Sequence, residues 1–135
     1  MGRRILLADD EAYVTSVISH KLQQLGDDVI VASDGQEAFE LATQHRPDIV
    51  VSDFQMPVLT GFEMALLLKR SEQTSSIPML MLTARGHLLS EAELAQTNIR
   101  ALLAKPFSSK ALLAKIEELI GPPAKSQTPG ASENA

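Results

Sequence analysis

The chain has 135 residues, a formal net charge of −5 at pH 7 and no cysteine. That length predicts one domain rather than two of ordinary size, and the lack of cysteine excludes thiolate catalysis and cysteine-based zinc sites. Because the acidic balance comes without a basic cluster, we expect no nucleic-acid binding by this domain alone.

The N-terminal segment predicts neither membrane insertion nor export. No apolar run approaches the roughly 18 residues of a membrane-spanning helix. Arg3 and Arg4 precede apolar residues, as at the start of a signal peptide, but Asp9 and Asp10 interrupt the apolar stretch. We therefore expect a soluble, cytoplasmic protein with no membrane partner.

Five short apolar runs predict the strands of a sheet. Their apolar residues are continuous rather than alternating, which is typical of strands covered on both faces in a parallel sheet. The runs are 5–8, 29–32, 49–51, 79–82 and 101–104.

Segments with helical spacing separate these runs. The first begins near Glu11 and has Gly26 in position to end it as a C-cap. Asp34, with Glu37 three residues later, has the pattern of a capping box that opens a second helix. Further helices are predicted over 61–71, 88–96 and 108–120, with Asn98 as a left-handed residue that closes the fourth.

Five strands alternating with five helices predict an α/β fold with right-handed crossovers. We expect residues 1–120 to form the domain. From Gly121 the composition shifts to Pro, Gly, Ser, Gln and Ala, which predicts a flexible tail over 121–135.

Polar residues follow four of the predicted strands. Asp9 and Asp10 follow the first, Asp53 the third, Thr83 the fourth and Lys105 the fifth. In an open parallel sheet the carboxyl ends of the strands share one edge, where ligands bind. The sequence therefore predicts that these side chains meet in one crevice.

The chemistry of this set suits a cation and a phosphoryl group. Two carboxylates about 4 Å apart repel by roughly 1 kcal/mol in water and about 4 kcal/mol at an effective dielectric near 20. A hard divalent ion, Mg²⁺ or Mn²⁺, relieves that repulsion and leaves coordination positions for phosphoryl oxygens. A lysine and a hydroxyl add the positioning that phosphoryl transfer needs, and a carboxylate can itself form an acyl phosphate.

The order and spacing of these motifs resemble the receiver domain of two-component response regulators. The resemblance covers about residues 3–120 and implies a flavodoxin-like, doubly wound, five-stranded parallel sheet of order 2-1-3-4-5, flanked by five helices. The motifs that carry it are Asp9-Asp10, Asp53-x-x-Met56-Pro57, Thr83 and Lys105-Pro106-Phe107.

The resemblance also implies a role for each site residue. Asp53 would accept a phosphoryl group from a phosphohistidine on a sensor histidine kinase or a histidine phosphotransfer protein. Lys105 and Thr83 would contact that group. The Mg²⁺ ligands would be Asp9, Asp10, Asp53 and the backbone carbonyl of Gln55, and Mn²⁺ is an alternative ion.

The same resemblance describes a switch rather than an enzyme. The domain would assist only its own phosphorylation and dephosphorylation, and it would signal to a downstream protein whose identity the sequence does not give. A homodimer is a further form that the resemblance allows. The peptide bond before Pro106 is expected to be cis.

Three features depart from the family pattern. Leu102 stands where the family often has an aromatic residue, so a ring cannot carry the switch. Gln55 and Arg85 flank the path of the attacking water, and we hypothesise that Arg85 slows dephosphorylation. In the third helix, Met64, Leu67 and Leu68 lie roughly opposite Phe62, Ala65 and Leu66, so its apolar outer side either forms a contact surface or is covered by neighbouring loops.

Other classes remain as alternatives. A flavin binder would share the fold, but Asp9 and Asp10 would repel its phosphate. A phosphatase or mutase with an aspartyl phosphate usually has a D-x-D motif and a cap domain, for which there is no room. A degenerate receiver, acting as a phosphorylation-independent interaction module, is the alternative within the family. We interpret Asp27 and Asp28 as a loop charge pair.

Overall fold

The computed structural model describes residues 2–84 and 89–124. It contains the predicted five strands and five helices in alternation. The strands are β1 (Arg4–Ala8), β2 (Asp28–Ala32), β3 (Ile49–Asp53), β4 (Met79–Thr83) and β5 (Ile99–Ala104). The helices are α1 (Ala12–Gln24), α2 (Gly35–His45), α3 (Gly61–Arg70), α4 (Glu91–Ala95) and α5 (Ser109–Ile120).

The strands form one parallel sheet of order β2-β1-β3-β4-β5. This order confirms the fold class and the strand order that the resemblance implied. It also explains the continuous apolar runs, because successive residues of a strand point to opposite faces and both faces are covered. In β1, Leu6 packs with one hydrophobic cluster while Ile5 and Leu7 pack with the other.

The two clusters place the helices in two layers. One cluster includes Ala38 and Ala42 of α2 with Met64, Ala65 and Leu68 of α3, and the other includes Ile18 and Leu22 of α1 with Leu112 and Ile116 of α5. Burying a Leu or Ile side chain contributes about 1.5–3 kcal/mol, so both layers hold the strand ends in place. No helix within the described ranges is long and apolar enough to cross a membrane.

The first helix ends where the sequence predicts. Gly26 has a φ of 88°, a backbone conformation that glycine adopts without strain. The Gly26 N–H donates to the Gln23 carbonyl at 3.0 Å and the Asp27 N–H to the Leu22 carbonyl at 3.1 Å. These two bonds form a Schellman motif.

The second helix has only half of the predicted capping box. The Asp34 carboxylate accepts from the Glu37 backbone N–H at 2.7 Å, as expected. The Glu37 carboxylate, however, accepts from the backbone N–H of Ser33 at 2.7 Å rather than from Asp34. The glutamate reaches one residue further back because Ser33 also offers its hydroxyl, at 3.0 Å.

The fourth helix is shorter than predicted. Ser90 and Glu93 form a full capping box that sets its start, while Leu88 lies outside the described residues. The prediction for Asn98 is wrong, because the described non-glycine residues with positive φ are Arg46 and Val58. The helix ends before Asn98, whose side-chain oxygen instead accepts from the Lys69 ammonium at 3.1 Å.

The prediction of a loop charge pair is wrong, and of the two alternatives for the third helix a contact surface is excluded at Met64 and Leu68. Asp27 and Asp28 have separate partners, since Asp27 is buried against Arg3 and Asp28 pairs at the surface with Arg4. In the third helix, Met64 and Leu68 lie in the core, and none of the exposed large apolar residues in the described ranges belongs to that helix. Of the predicted tail, residues 125–135 lie outside the described residues.

Candidate functional site

Parallel pairing brings the predicted site residues to one edge of the sheet. Asp53 is the last residue of β3 and Thr83 the last of β4, while Asp9 and Lys105 follow directly after β1 and β5. The Lys105 backbone N–H donates to the Thr83 carbonyl at 2.7 Å, which joins the ends of β4 and β5. The peptide bond between Lys105 and Pro106 is cis, as expected.

Three carboxylates converge in this crevice. Asp9, Asp10 and Asp53 each offer an oxygen within 4.8 Å of the others. Asp9 and Asp53 are buried, whereas Asp10 is exposed. An acidic set of this kind matches the oxygen ligands that Mg²⁺ and Mn²⁺ prefer.

One carboxylate oxygen supports a cation ligand in particular. Asp9 Oδ1 accepts from the Glu11 backbone N–H at 2.9 Å. Asp9 Oδ2 is buried and has no hydrogen-bond partner among the described residues. Leaving a buried acceptor unsatisfied is costly, and the cost is larger for a charged group. The unsatisfied oxygen therefore fits a bound metal ion at this site.

Among the described residues, one ammonium group faces the carboxylates. The Lys105 Nζ lies 3.3 Å from Asp53 Oδ1, 3.6 Å from Asp9 Oδ2 and 3.8 Å from Glu11 Oε1. Sequence analysis predicted the first two neighbours of this lysine but assigned no role to Glu11. The charge of one lysine thus serves three acidic side chains.

The pKa shifts follow from this crowding. Burial raises the pKa of the Asp53 carboxyl and the charge of Asp9 raises it further, against the opposing effect of Lys105. For Lys105, burial lowers the pKa, but attraction by Asp53 and Asp9 outweighs it, so the pKa of the ammonium is raised. Both directions indicate a site that is stabilised by additional positive charge.

Gly61 supports the end of β3 from below. Its backbone N–H donates to the Phe54 carbonyl at 2.8 Å. A Cβ at this position would lie 2.5 Å from the Asp53 carbonyl oxygen and 2.8 Å from the Met81 sulfur. The absence of a side chain therefore lets the start of α3 approach the backbone of Asp53.

The loop between β3 and α3 contains a strained turn. The Leu59 N–H donates to the Pro57 carbonyl at 2.8 Å, which closes a γ-turn with Val58 at a φ of 70°. Gln55 lies in the same loop, and its backbone hydrogen bond to Asp53 only partly opposes the rise in the pKa of that carboxyl that burial causes. Its carbonyl as a metal ligand stays a prediction.

Leu102 lies in β5, opposite Met81 of β4, and packs against the cluster under α2 and α3. Leu102 is half-buried. An aliphatic side chain therefore occupies the position where the family often has an aromatic ring. Arg85 lies outside the described residues, and its role stays a hypothesis.

A groove adjoins Lys105 on the side of α1. It encloses about 460 Å³ and is lined mainly by apolar groups, among them Tyr13, Val17 and Phe107. Tyr13 is 81% exposed. Sequence analysis missed the groove because it is formed by α1 together with the loop after β5, two segments far apart in the chain.

Comparisons with known proteins agree with this architecture. The family model described as response regulator receiver domain matches residues 5–117. Among solved structures, the chemotaxis response regulator CheY4 of Vibrio cholerae is 33% identical with a TM-score of 0.80, over 88% of this chain and 99% of that one. The receiver domain of the Pseudomonas aeruginosa sensor histidine kinase PA1611, solved with a magnesium ion in its active-site cleft, is 29% identical with a TM-score of 0.78, over 89% of this chain and 98% of that one.

Curated relatives are longer than this chain. The DNA-binding dual master transcriptional regulator RpaA of Synechocystis is 35% identical over 87% of this chain and 48% of its own length. The phosphate regulon transcriptional regulatory protein PhoB of Pseudomonas aeruginosa is 32% identical over 89% and 52%. The chain thus spans about half the length of these relatives. Together with the sheet order and the acidic strand ends, the family match shows that the chain belongs to the response regulator receiver domains of two-component signalling.

Proposed function

We propose that this receiver domain accepts a phosphoryl group on Asp53 from a phosphohistidine of a sensor histidine kinase or a histidine phosphotransfer protein. The proposal rests above all on the Lys105 Nζ, which lies 3.3 Å from Asp53 Oδ1 in a crevice where three carboxylates converge. A lone carboxylate at a strand end would need neither the lysine nor its acidic neighbours. Histidine kinases phosphorylate receiver domains, so the donor class follows from the family.

The proposed transfer uses Asp53 as the nucleophile. One carboxylate oxygen forms a bond to phosphorus while the bond from phosphorus to the imidazole nitrogen breaks, and the imidazole keeps the electron pair. Lys105 lies close enough to Asp53 that its ammonium group would contact the oxygens of a phosphoryl group bound there. The hydroxyl of Thr83, at the end of the neighbouring strand, would donate a hydrogen bond to the same group.

The proposed cofactor is Mg²⁺, with Mn²⁺ as an alternative. Asp9, Asp10, Asp53 and the carbonyl of Gln55 would hold it, and the unsatisfied Asp9 Oδ2 supports this donor set. When bound, the ion neutralises the carboxylates and the phosphoryl oxygens, which lowers the electrostatic cost of bringing them together. The magnesium ion in the PA1611 receiver supports the same assignment.

The proposed output is a change in protein interaction rather than turnover of a substrate. The domain would assist only its own phosphorylation and dephosphorylation, and its signal would pass to a downstream protein or to a homodimer. The net charge of −5 supports an output without nucleic-acid binding by this domain. We propose that residues 1–120 form the domain and that residues 121–135 follow it as a flexible tail. We also propose that the protein is cytoplasmic.

The test is the intact mass of the protein after incubation with acetyl phosphate and Mg²⁺. The wild type should gain one phosphoryl group, and Asp53→Asn should gain none. Asp48→Asn, which removes a carboxylate at the amino end of β3, is the matched control and should be modified like the wild type. A mass unchanged with acetyl phosphate and with a phosphohistidine kinase would favour the degenerate interaction module.

A further inference from the structure

Helix capping does not explain the position of the Glu11 side chain. It is the N-cap residue of α1, yet its side chain makes no capping hydrogen bond to the described residues. Ser, Thr, Asp and Asn are preferred at this position because they do make that bond. The Glu11 carboxylate instead lies 3.8 Å from the Lys105 ammonium. The Glu11 side chain therefore faces the ammonium group of the site instead of capping its helix.

Its exposure sets Glu11 apart from the other partners of Lys105. The side chains of Asp9 and Asp53 are 0% and 9% exposed, whereas that of Glu11 is 63% exposed. Glu11 also lines the groove that adjoins Lys105. Its carboxylate is therefore the most exposed of the three that face the ammonium group, so its field reaches the solvent from which a phosphodonor arrives.

We propose that Glu11 selects among phosphodonors by their charge, an inference that rests on the proposed phosphorylation of Asp53. A fixed negative charge beside the approach path lowers the local concentration of anionic donors. The same carboxylate competes with the phosphoryl oxygens for Lys105. Both effects grow with the negative charge of the donor, so Glu11 disfavours small dianionic donors more than donors of lower charge.

Two small phosphodonors of different net charge phosphorylate the same acceptor and can test this proposal. With acetyl phosphate, a dianion at neutral pH, an Asp53 oxygen bonds to phosphorus and acetate leaves with the electron pair of the broken P–O bond. With phosphoramidate, which carries one net negative charge at neutral pH, the same bond to phosphorus forms and ammonia leaves with the electron pair of the broken P–N bond. The acceptor and the product are identical, so a difference in response reports on the donor.

The experiment compares Glu11→Gln with the wild type in initial rates of phosphorylation by both donors at a fixed concentration of Mg²⁺. At low salt we expect Glu11→Gln to accelerate the reaction with acetyl phosphate about threefold to tenfold and that with phosphoramidate about twofold or less. The difference should shrink between about 0.05 M and about 0.5 M salt, because salt screens exposed charges. Glu118→Gln, which removes an exposed charge near the far end of α5, should change neither rate.

A second variant guards against an indirect effect on the helix. Glu11→Ser removes the charge and supplies a cap, so it should raise the unfolding temperature and show the same donor preference as Glu11→Gln. Equal acceleration with both donors, a difference that salt leaves unchanged, or the same difference in Glu118→Gln would overturn selection by charge alone. A wild type that neither donor modifies would overturn this inference, and the proposed function would fall with it only if a phosphohistidine kinase also left the mass unchanged.

Discussion

Among the described residues, each buried charge at the amino ends of the strands is paired, whereas at the carboxyl ends the negative charges outnumber the positive ones. Arg3 and Asp27 form a buried bidentate pair with N–O distances of 2.8 and 2.7 Å, and Arg3 also donates to the Gly121 carbonyl at 2.9 Å. At the other edge Lys105 faces three carboxylates, and one oxygen of Asp9 has no hydrogen-bond partner in the described part of the chain. We call the edge with Arg3 and Asp27 the balanced edge and the edge with Asp9, Asp53 and Lys105 the unbalanced edge. The charges of the balanced edge satisfy one another, whereas the unbalanced edge has a surplus of negative charge.

This difference separates a structural use of charge from a functional one. A buried surplus of one sign of charge is costly, so it persists where something besides folding requires it. Arg3, which precedes β1, thereby joins Asp27 just before β2 and Gly121 just after α5. Under the proposed function, the strand-end carboxylates place negative charge where it would bind a cation and accept a phosphoryl group. The predictions that follow change one edge at a time.

The largest effect is expected from Arg3→Ala at the balanced edge. The substitution leaves the buried carboxylate of Asp27 without its partner and removes the hydrogen bond to Gly121, which should lower the free energy of unfolding by about 3 kcal/mol. Urea unfolding at pH 7 measures it. Arg4→Ala is the matched control, because its pair with Asp28 is exposed and its loss should cost about 1 kcal/mol or less. Equal losses in the two variants would show that burial of the pair does not matter.

Gly61→Ala acts on the unbalanced edge through packing alone. A Cβ would lie 2.5 Å from the Asp53 carbonyl oxygen, and relieving that overlap should cost about 2 kcal/mol of unfolding free energy. The displaced backbone carries Asp53, so the rate of phosphorylation by acetyl phosphate should fall as well. Thermal unfolding and the initial rate are the two readouts. A variant with normal stability and a normal rate would contradict the role assigned to Gly61.

Asp53→Asn removes one of the crowded carboxylates and should stabilise the protein without metal. The folded state raises the pKa of Asp53 above its ordinary value of 3.8. Its contribution to stability is therefore fully present below that value and is lost as the pH rises through the raised pKa. In EDTA at pH 7 the variant should be more stable by on the order of 1 kcal/mol, and the difference should close towards pH 3. A difference independent of pH would exclude ionisation as its cause.

Arg85→Ala should produce the smallest effect, an increase of about threefold in the rate at which the phosphorylated protein loses its phosphoryl group. Arg85 lies outside the described residues, and the expectation rests on its position two residues beyond Thr83 in the sequence. The decay of the intact phosphoprotein mass, followed after removal of the donor, measures the rate. Unchanged decay would remove the hypothesis of slow dephosphorylation.

The sequence predicted the strand-end residues because each is fixed by a local pattern. Asp9, Asp53, Thr83 and Lys105 directly end or follow strands that are recognisable from continuous apolar runs, and parallel pairing then brings them together. The resemblance to receiver domains supplied the strand order, which hydrophobic periodicity does not contain. Local capping patterns were informative in part: the Glu37 backbone N–H donates to Asp34 as predicted, but the Glu37 carboxylate accepts from Ser33.

Contacts between distant segments could not be predicted in this way. Asp27 has an aspartate beside it in the chain but pairs with Arg3, 24 residues away, because β1 and β2 are neighbours in the sheet. Glu11 contacts Lys105 because the loops after β1 and β5 meet at one edge of the sheet, although these strands are not neighbours. Side-chain pairing of this kind depends on three-dimensional position, which local propensity does not predict.

The measurement that tests the account most directly is the calorimetric titration of Mg²⁺ into the wild type and Asp10→Asn, without a phosphodonor. The account predicts one binding site in the wild type and an affinity lower by at least about tenfold in the variant, since one of three converging carboxylates is lost. Asp28→Asn, which removes an exposed carboxylate from the balanced edge, should bind Mg²⁺ like the wild type. No binding by the wild type, or equal binding by Asp10→Asn, would contradict the claim that the surplus negative charge at the carboxyl ends of the strands forms a cation site.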